Sequence, residues 1–482
     1  MRPVHTPALL AAALAAACAT APDPLESAAR SPLPVARERA GPAAPAVFPG
    51  SAGDAAARVL EGAVRRGRLE LPDCIALAAA RSEDLLLGDE ARLQALLQGD
   101  LARAAAVGDL RLLVRHDRQD PAGGGGFGPS GGTSPGSAPA RSQVALGAVQ
   151  PLFAGLREWN AGRASERTAG ALEAEREDLR RLLSLAVARA FYAVAEAEAE
   201  MSAEEEGLRL AEERVREMGA RAAEGLARRT EVLLQESRLE TTRALLLGSR
   251  ERRDRARVVL GSLAGAPLAL PLDPEPEPRI PVPARAEALA GVRSLRPDLR
   301  AADLRVAAAE ADLEVARGQR WPVVQAQGNW YAERRNYAPS SRDVRWDMAV
   351  TLDLPLFLGG EIDARERIAA SRVRQAELVR SRALRSALAE VEEALVRLEA
   401  GEALLETLRA GEAFARENLG LLQEEYRQGL ATNLEVFTAQ VQLQDAAVAL
   451  RRHRIRSRLD RVEALVAAGH ADPFCGPAKE MR

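Results

Sequence analysis

Strict alternation of apolar and polar residues marks one stretch of the chain. Its apolar side chains are Trp346, Met348, Val350, Leu352 and Leu354, and between them lie Asp347, Ala349, Thr351 and Asp353. Because successive side chains of a strand point to opposite faces, the pattern predicts a β-strand with one apolar and one polar face. Pro355 lacks a backbone donor and is predicted to end the strand. Gly359 and Gly360 then precede a helical period of roughly sixty residues.

The same junction occurs twice, so the sequence contains an internal repeat. Pro151-Leu152-Phe153 matches Pro355-Leu356-Phe357 at a spacing of 204 residues, and the match continues without a gap for more than a hundred residues. Before the strands the spacing is 214, since Asp84-Leu85 matches Asp298-Leu299. The additional residues of the first copy lie in a Gly/Ser/Pro tract between its two strands. Each copy is predicted to contain a helix, two strands, a long helix, a turn and a return helix.

The first copy shows how long these elements are. Its pattern predicts a helix from Leu85 to about Ala106, and strands from Leu110 to His116 and from Val144 to Gln150. A long helix is predicted from Gly155 to about Met218. At 1.5 Å per residue such a helix extends roughly 95 Å, which exceeds the size of a globular core. The long helices are therefore expected to form coiled coils.

Heptad spacing supports that expectation in both copies. The seam residues are Leu179, Leu183, Ala186, Ala190, Ala193 and Ala197 in the first copy, and Leu384, Leu388, Val391, Leu395 and Leu398 in the second. Steps of three and four residues keep these side chains on one face of a helix, where a neighbouring helix covers them.

Two glycine-leucine pairs are predicted to form the turns after the long helices. Gly225-Leu226 and Gly429-Leu430 lie 204 residues apart, and each glycine suits the left-handed conformation that ends a helix. Thr230 and Thr432-Asn433 supply capping groups for the return helices, which are expected to end near Gly265 and Gly469. Each copy thus contains a long helical hairpin.

Composition and charge exclude several classes of function. Aromatic residues are only 3% of the chain, and 66 basic residues balance 69 acidic ones, so the sequence does not indicate nucleic-acid binding. Lys479 is the only lysine, which excludes a phosphate-binding G-x-x-x-x-G-K-S/T loop, and no G-x-S-x-G motif occurs. The four histidines are too scattered to form a metal site or to nominate a catalytic base. We therefore predict no enzyme activity, no cofactor and no metal.

The ends of the chain and the segment between the copies lack the repeat pattern. Residues 1–17 are predicted to be a signal peptide. Cys18 follows Leu-Ala-Ala-Ala as in a bacterial lipoprotein cleavage box, although ordinary cleavage after Ala17 is an alternative. Residues 18–70 are predicted to be a lipid anchor and extended linker, 266–294 a proline-rich connector and 471–482 a tail. The two repeats then occupy residues 71–265 and 295–470.

This arrangement resembles the TolC-like outer-membrane efflux protein family. Its most specific marks are the paired junctions, Pro151 with Phe153 and Pro355 with Phe357, and the paired tips with Gly-Leu and Glu-Val. The resemblance implies a mostly α fold with a small β part. It also implies that three chains form a transmembrane β-barrel, with four strands from each chain, continued by a long coiled-coil helical barrel in the periplasm.

Physical reasoning agrees with a barrel shared between chains. Four strands are too few to close, and open strand edges are not tolerated in lipid, so neighbouring chains are expected to complete the sheet. The apolar face of the Trp346 strand is expected to meet lipid, and Asp347, Thr351 and Asp353 to face the lumen. Trp330, Tyr331 and Tyr337 are expected to join Trp346 in an aromatic girdle.

The resemblance also implies roles for the tips. Gly225, Leu226, Gly429 and Leu430 would contact the periplasmic adaptor of an inner-membrane pump, and Glu231, Glu435 and Tyr426 would line the pore constriction. An arginine that members of the family use in gating is replaced here by Ala431. Both glutamates also suit the first turn of a solvated helix, where the helix dipole favours acidic residues.

The predicted function is an outer-membrane channel of a tripartite efflux or type I secretion system, as a homotrimer in outer-membrane lipid. The alternative is a periplasmic coiled-coil adaptor or a structural lipoprotein. An adaptor of that kind has one hairpin flanked by compact β-domains, whereas this sequence predicts two hairpins in register and strands with an apolar face. A diffusion porin is disfavoured because it needs many more strands per chain.

Overall fold

The protein is described by a computed structural model, which covers residues 50–117, 141–225, 227–266, 270–274, 280–335 and 346–470. The predicted signal peptide, Cys18 and the tail from residue 471 lie outside the described residues. Residues 18–49 of the predicted linker also lie outside the described residues.

The described elements follow the repeat closely. In chain order they are α1 (Gly50–Arg66), β1 (Leu69–Glu70), α2 (Leu71–Arg81), α3 (Glu83–Val107), β2 (Asp109–Asp117), β3 (Arg141–Phe153), α4 (Arg157–Ala223), α5 (Arg229–Ala264), β4 (Leu272–Asp273), α6 (Arg285–Leu295), α7 (Pro297–Gly318), β5 (Val323–Arg335), β6 (Trp346–Asp353), α8 (Glu361–Arg427) and α9 (Asn433–Ala467). The two long helices, α4 and α8, each contain 67 residues. At 1.5 Å per residue each is about 100 Å long.

Helix α4 lies at the centre of the described helices. Its N-terminal half packs between α3 and α7, with ion pairs from Glu173 to Arg92 and from Glu175 to Arg305. Its C-terminal half packs between α5 and α9. Helix α8 contacts α7 along its N-terminal half, α6 near its middle and α9 along its C-terminal half, and these are its main neighbours among the described residues.

Large apolar side chains concentrate near the middle of the long helices. One cluster joins α4 to α1, β1 and α2, and its fully buried members include Val187, Phe191 and Tyr192. A second, smaller cluster joins α8 to α6 and contains Val391, Leu395 and Leu398. The α8 seam predicted from the heptads is confirmed.

The α4 seam is partly wrong. Ala190 and Ala197 are buried, but Ala193 is exposed, and the best buried large residues, Val187 and Phe191, lie outside the predicted seam. The physical reason is that α4 has neighbours on more than one side at this level, among them α2, α5 and α9. A single heptad stripe describes a helix with one partner, and several partners bury a wider face.

Two segments predicted to be linkers contain helices. Within residues 18–70, Gly50–Arg66 is the helix α1, which buries Ala56 and Ala63 completely in the first cluster. Within the connector 266–294, α6 begins at Arg285, after the last proline of that segment, and buries Val292 completely. The strand β4 of the connector also pairs in parallel with β1. The extended-linker prediction is wrong over residues 50–66, because Ala56, Val59, Leu60 and Ala63 recur at helical spacing and pack in or against the first cluster. The connector prediction omits α6, which follows its proline-rich part.

The four longer strands form one sheet in the order β2-β3-β5-β6. Each neighbouring pair is antiparallel, and the contact between the two copies is made by β3 and β5. Strands β2 and β6 are therefore the edges, one from each copy. The helices show the same contact between the two copies as the strands do, since α4 of the first copy contacts α7 of the second.

Candidate functional site

One face of the four-stranded sheet is apolar across its whole width. The register places Leu112 beside Leu146, Leu146 beside Trp330, and Trp330 beside Trp346. All four side chains are exposed in the chain. Along β6 the exposed set continues with Met348, Val350 and Leu352. The alternation that predicts a two-faced strand therefore extends into a two-faced sheet.

The opposite face carries polar groups at the same level. Asn329 lies beside Asp347, and its Nδ2 donates a hydrogen bond to Asp347 Oδ2 at 3.1 Å. Gly147 provides the space for Asn329, because a Cβ there would lie 2.9 Å from Asn329 Oδ1. Thr351 and Asp353 continue the same face along β6. The three residues predicted to face a lumen thus share one face of the sheet.

Three of the four aromatic residues of the predicted girdle lie at the loop end of the sheet. Trp330 and Trp346 are directly opposite each other across β5 and β6, and both are exposed. Tyr331 is adjacent and half-buried, whereas Tyr337 lies outside the described residues.

The two strand-to-helix junctions differ. In the second copy β6 ends at Asp353, before Pro355, as predicted. In the first copy β3 continues through Pro151 to Phe153, so the prediction that this proline marks the end of its strand is wrong. Pro151 pairs with Gln325, and a register shift follows it. A proline is tolerated at such an irregularity because the missing N–H is not needed there.

Both tips have the predicted backbone. Gly225 and Gly429 have φ values of 74° and 79°, in the left-handed region that favours glycine. At the second tip the N–H of Leu430 donates to Glu425 O at 2.8 Å and that of Gly429 to Tyr426 O at 3.1 Å, which is the Schellman arrangement. The Leu430 side chain is exposed. Leu226 lies outside the described residues.

The two tip glutamates cap their own helices. The Arg228 N–H donates to Glu231 Oε2 at 2.9 Å, and the Thr432 N–H donates to Glu435 Oε2 at 2.6 Å. The Thr432 hydroxyl donates to the same oxygen at 2.8 Å. These bonds, the backbone one first, hold the pKa of Glu435 below its usual range. This geometry supports the interpretation of the two glutamates as residues of the first helical turn that cap their own helices.

Tyr426 is held by two arginines that the sequence analysis did not single out. Its ring lies 5.6 Å from the guanidinium carbon of Arg214 and 5.3 Å from that of Arg221, and Arg221 Nη1 donates to its hydroxyl at 3.1 Å. Arg214 also donates to Asn433 Oδ1 at 3.3 Å. Stacking of this kind is worth about 0.5–2 kcal/mol per pair. The arginines repeat at seven residues on α4, but only the fold places them beside the other copy's tip.

Two further observations limit the chemistry. Among the described residues, no group of three His, Cys, Asp or Glu side chains is placed to hold a metal ion. Within that same part of the chain, no helix combines the length and the apolar character needed to cross a bilayer.

Comparison with known proteins identifies relatives of this chain. The sequence profile of the outer membrane efflux protein family matches residues 74–266 and 289–468. The pyoverdine export outer membrane protein OpmQ of Pseudomonas aeruginosa is 29% identical over 185 residues, which are 37% of this chain. That match spans 38% of the length of OpmQ.

Solved structures share the fold. The structure of CusC, studied for its folding and transmembrane channel formation, superposes with a TM-score of 0.72 at 19% identity, over 83% of this chain and 92% of CusC. The outer membrane protein VceC of Vibrio cholerae gives 0.69 at 21% identity, over 83% of this chain and 96% of VceC. The predicted mostly helical fold class with a small β part is confirmed.

Proposed function

Because this chain belongs to the outer membrane efflux protein family, we propose that it is the outer-membrane channel of an export system. Substrates would pass through it from the periplasm, or from a pump, to the exterior. The observation that carries the proposal is the sheet, which has an apolar face, a polar face and two edges that pair with no further strand among the described residues. The family is one of transport channels rather than of enzymes. The alternative adaptor function lacks this support, since the profile covers both repeats.

The channel is proposed to be a homotrimer. Each chain supplies four strands, and three chains supply a twelve-stranded barrel of a size that a membrane can hold. An even number of strands per chain lets every contact between chains be antiparallel. The apolar face, with Val350 and Leu352, would then meet lipid, and Asp347, Thr351 and Asp353 would face the lumen. Outside the barrel, α4 and α8 would continue as a helical barrel in the periplasm.

The tips are proposed to receive a periplasmic adaptor that connects the channel to an inner-membrane pump. Leu430 supports this, because it is an exposed apolar side chain fixed by a tight backbone turn. The same contact with the adaptor is proposed for Gly225, Gly429 and Leu226. Pore lining by Glu231, Glu435 and Tyr426 stays a prediction. It requires that the two capping glutamates and the tyrosine stacked on arginines also face the channel axis. Cys18 is proposed to carry a lipid that helps to anchor the chain at the outer membrane.

Adjacent residues on opposite faces of β6 test the barrel. We expect Thr351→Arg to assemble and to shift the single-channel conductance and its ion selectivity in planar bilayers, because Thr351 would face water. Val350→Arg would instead place a charge in lipid, at a cost of about 2–4 kcal/mol near the bilayer midplane, and reduce insertion into the outer membrane.

Insertion is measured by resistance of the barrel to extraction and proteolysis, and assembly by the mass in detergent. The proposed channel function is wrong if the unaltered protein is a monomer that stays soluble without detergent and gives no conductance. If conductance is present but the two variants behave alike, only the assignment of the faces is wrong.

A further inference from the structure

Two carboxyl groups of α9 are buried where this helix meets both long helices. Asp460 and Glu463 are 3% and 6% exposed, and a spacing of three residues places them on the same side of α9. Their neighbours in the sequence, Leu459 and Val462, belong to the first apolar cluster, and Ala464 belongs to the second. The carboxyl pair therefore lies between the apolar clusters of α4 and α8, where an ionised group loses most of its water.

Both oxygens of Glu463 accept hydrogen bonds from arginines. Arg189 Nε of α4 donates to Glu463 Oε1 at 2.8 Å, and Arg397 Nη1 of α8 donates to Glu463 Oε2 at 2.5 Å. Such charge-assisted bonds are stronger than bonds between neutral groups and need the ionised carboxylate. Glu463 therefore joins α9 to α4 and to α8 at the same time.

Asp460 is buried beside Glu463 without comparable bonds. Arg456 Nε lies 3.2 Å from Asp460 Oδ1, but its N–H is not aligned for a hydrogen bond, and no other group of the described chain donates to that oxygen. A buried carboxylate oxygen without a donor makes the ionised form unfavourable. Burial accordingly raises the pKa of Asp460 above its usual range.

Other charged groups around the pair act on Asp460 in both directions. The charge of Glu463 also disfavours ionisation of Asp460, whereas Arg456, Arg397 and His453 favour it. His453 is held in place, because its Nε2 donates to Gly401 O at 2.7 Å. A cavity of about 270 Å³ beside the pair admits water, and its charged lining residues are Arg189 and Glu196 from α4, Arg397 from α8, and Arg456 and Glu463 from α9.

The first copy of the repeat carries no carboxyl group at the matching positions. Asp460 and Glu463 correspond to Ala256 and Val259, 204 residues earlier in α5. Ala256 packs against the first apolar cluster. Replacing buried charged groups by apolar residues is often neutral or stabilising, so packing of a return helix on a long helix does not require the charges.

The long helices differ at the same level. Arg397 and Gly401 of α8 correspond to Ala193 and Ala197 of α4. A Cβ placed on Gly401 would lie 3.3 Å from Asp460 Oδ2, which is closer than most Cβ contacts. The second copy thus combines a carboxyl group, a charged partner and the space for both, and the first copy has none of the three.

We propose that Asp460 is a proton-binding site that controls how tightly α9 is held against α4 and α8. When Asp460 is protonated, the only charge of the carboxyl pair is that of Glu463, which two arginines balance. When Asp460 is ionised, a second buried negative charge favours local opening of α9 to water. The site lies within one chain, so the proposal is independent of the channel function proposed above.

The direction of the pH effect follows from the raised pKa. The folded-state pKa of Asp460 lies above the value of an unfolded aspartate, about 3.9. The stabilising contribution of the bound proton is therefore complete below that value and is lost as the pH rises through the folded-state pKa. This is opposite to the effect of an aspartate whose pKa is lowered by an ion pair.

Hydrogen exchange of α9 in the full-length protein in detergent tests the proposal. The rates of residues 453–466 are corrected for the intrinsic rate of each sequence and pH. In the unaltered protein we expect protection to fall between about pH 4 and pH 8, by up to tenfold for each unit by which the pKa of Asp460 is raised. Asp460→Asn should remove this dependence and exchange several-fold more slowly than the unaltered protein at about pH 8.

Glu463→Gln is expected to have the opposite effect. It removes the carboxylate that holds Arg189 and Arg397, so α9 should exchange faster than in the unaltered protein at about pH 8. The matched control is Glu402→Gln, which neutralises an exposed carboxylate that pairs with Arg461 at 3.4 Å across the same two helices. An exposed ion pair contributes little, so this control should leave the exchange of α9 unchanged.

Asp460→Ala is the second variant, since alanine is the residue at the matching position of the first copy. It should lose the pH dependence as Asp460→Asn does. The proposal is overturned if both Asp460 variants exchange faster than the unaltered protein at about pH 8, because the ionised carboxylate would then be a stabilising partner of Arg456. It is also overturned if the pH dependence of α9 is the same with and without the Asp460 carboxyl group.

Discussion

Helices α3 and α7 are the same element of the repeat in two different surroundings. Within the chain α7 lies between two long helices, and α3 has one. At matching positions Ala311 is 6% exposed and Leu97 is 51% exposed. Close packing between two helices favours small side chains, and an uncovered side that carries leucine is suited to a further partner. Matching elements of the repeat therefore carry small side chains where the same chain covers them and large apolar side chains where it leaves them open.

The two tips are a second pair of matching elements. Both turn at a glycine with positive φ, and both place a glutamate three residues after the helix cap. The second tip adds the Thr432 hydroxyl, which accepts a hydrogen bond from the Glu435 N–H at 3.3 Å. The first tip has Arg228 at that position and lacks a hydroxyl. The tips are alike in backbone and different in side-chain capping.

The largest effect is expected from charges placed at the matched positions of α3 and α7. Ala311→Asp buries a carboxylate without a partner and should destabilise the chain by about 3–5 kcal/mol. Leu97→Asp should leave the chain folded, because its side chain is exposed there, but should prevent assembly. Protease resistance and circular dichroism report the fold, and mass in detergent reports assembly. An equal loss of folded chain in both variants would remove the distinction between the two helices.

A smaller effect is expected at the tip glycines. Gly225→Ala and Gly429→Ala meet no atom within 4 Å, so any cost is that of the positive φ, about 1 kcal/mol. Gly420→Ala in α8 is the matched control, since its surroundings are equally open and its backbone is helical. That control should stabilise by about 0.8–1 kcal/mol. Denaturant unfolding of the three variants measures whether each substitution raises or lowers the free energy of unfolding. Stabilisation by Gly429→Ala would contradict the strained turn.

The smallest effect separates the tips by their caps. Thr432→Ala should weaken the start of α9 by about 1 kcal/mol, whereas Arg228→Ala should change α5 little. The pKa of Glu435 is depressed in the folded chain, so its stabilising contribution is present above the pKa of the unfolded chain, about 4.3, and is lost as the pH falls through the folded value. The difference between Thr432→Ala and the unaltered protein should therefore shrink below about pH 4.

Hydrogen exchange of residues 433–437, corrected for the intrinsic rate at each pH, measures this effect. A difference that grows in acid would contradict the hydrogen bonds between Thr432 and Glu435.

Much of the architecture is predictable from the sequence because it depends on local patterns. Alternation over Trp346 to Leu354 predicts a two-faced strand, and the long helical periods predict α4 and α8. Gly225 and Gly429 predict the turns, since few other residues adopt positive φ. The spacings of 204 and 214 then relate the two copies residue by residue. Each of these signals depends on residues close together in the chain or on the direct match between the two copies.

Which elements become neighbours depends on contacts between distant parts of the chain. The pairing of β3 with β5, the burial of Val187 and Phe191 under α1 and α2, and the contact of Arg221 with Tyr426 all join segments far apart in the chain. A periodic pattern shows that a face will be covered and is silent about what covers it. The same pattern is shared by Ala311 and Leu97, and only the positions of the long helices make one an interior residue and leave the other at an open edge.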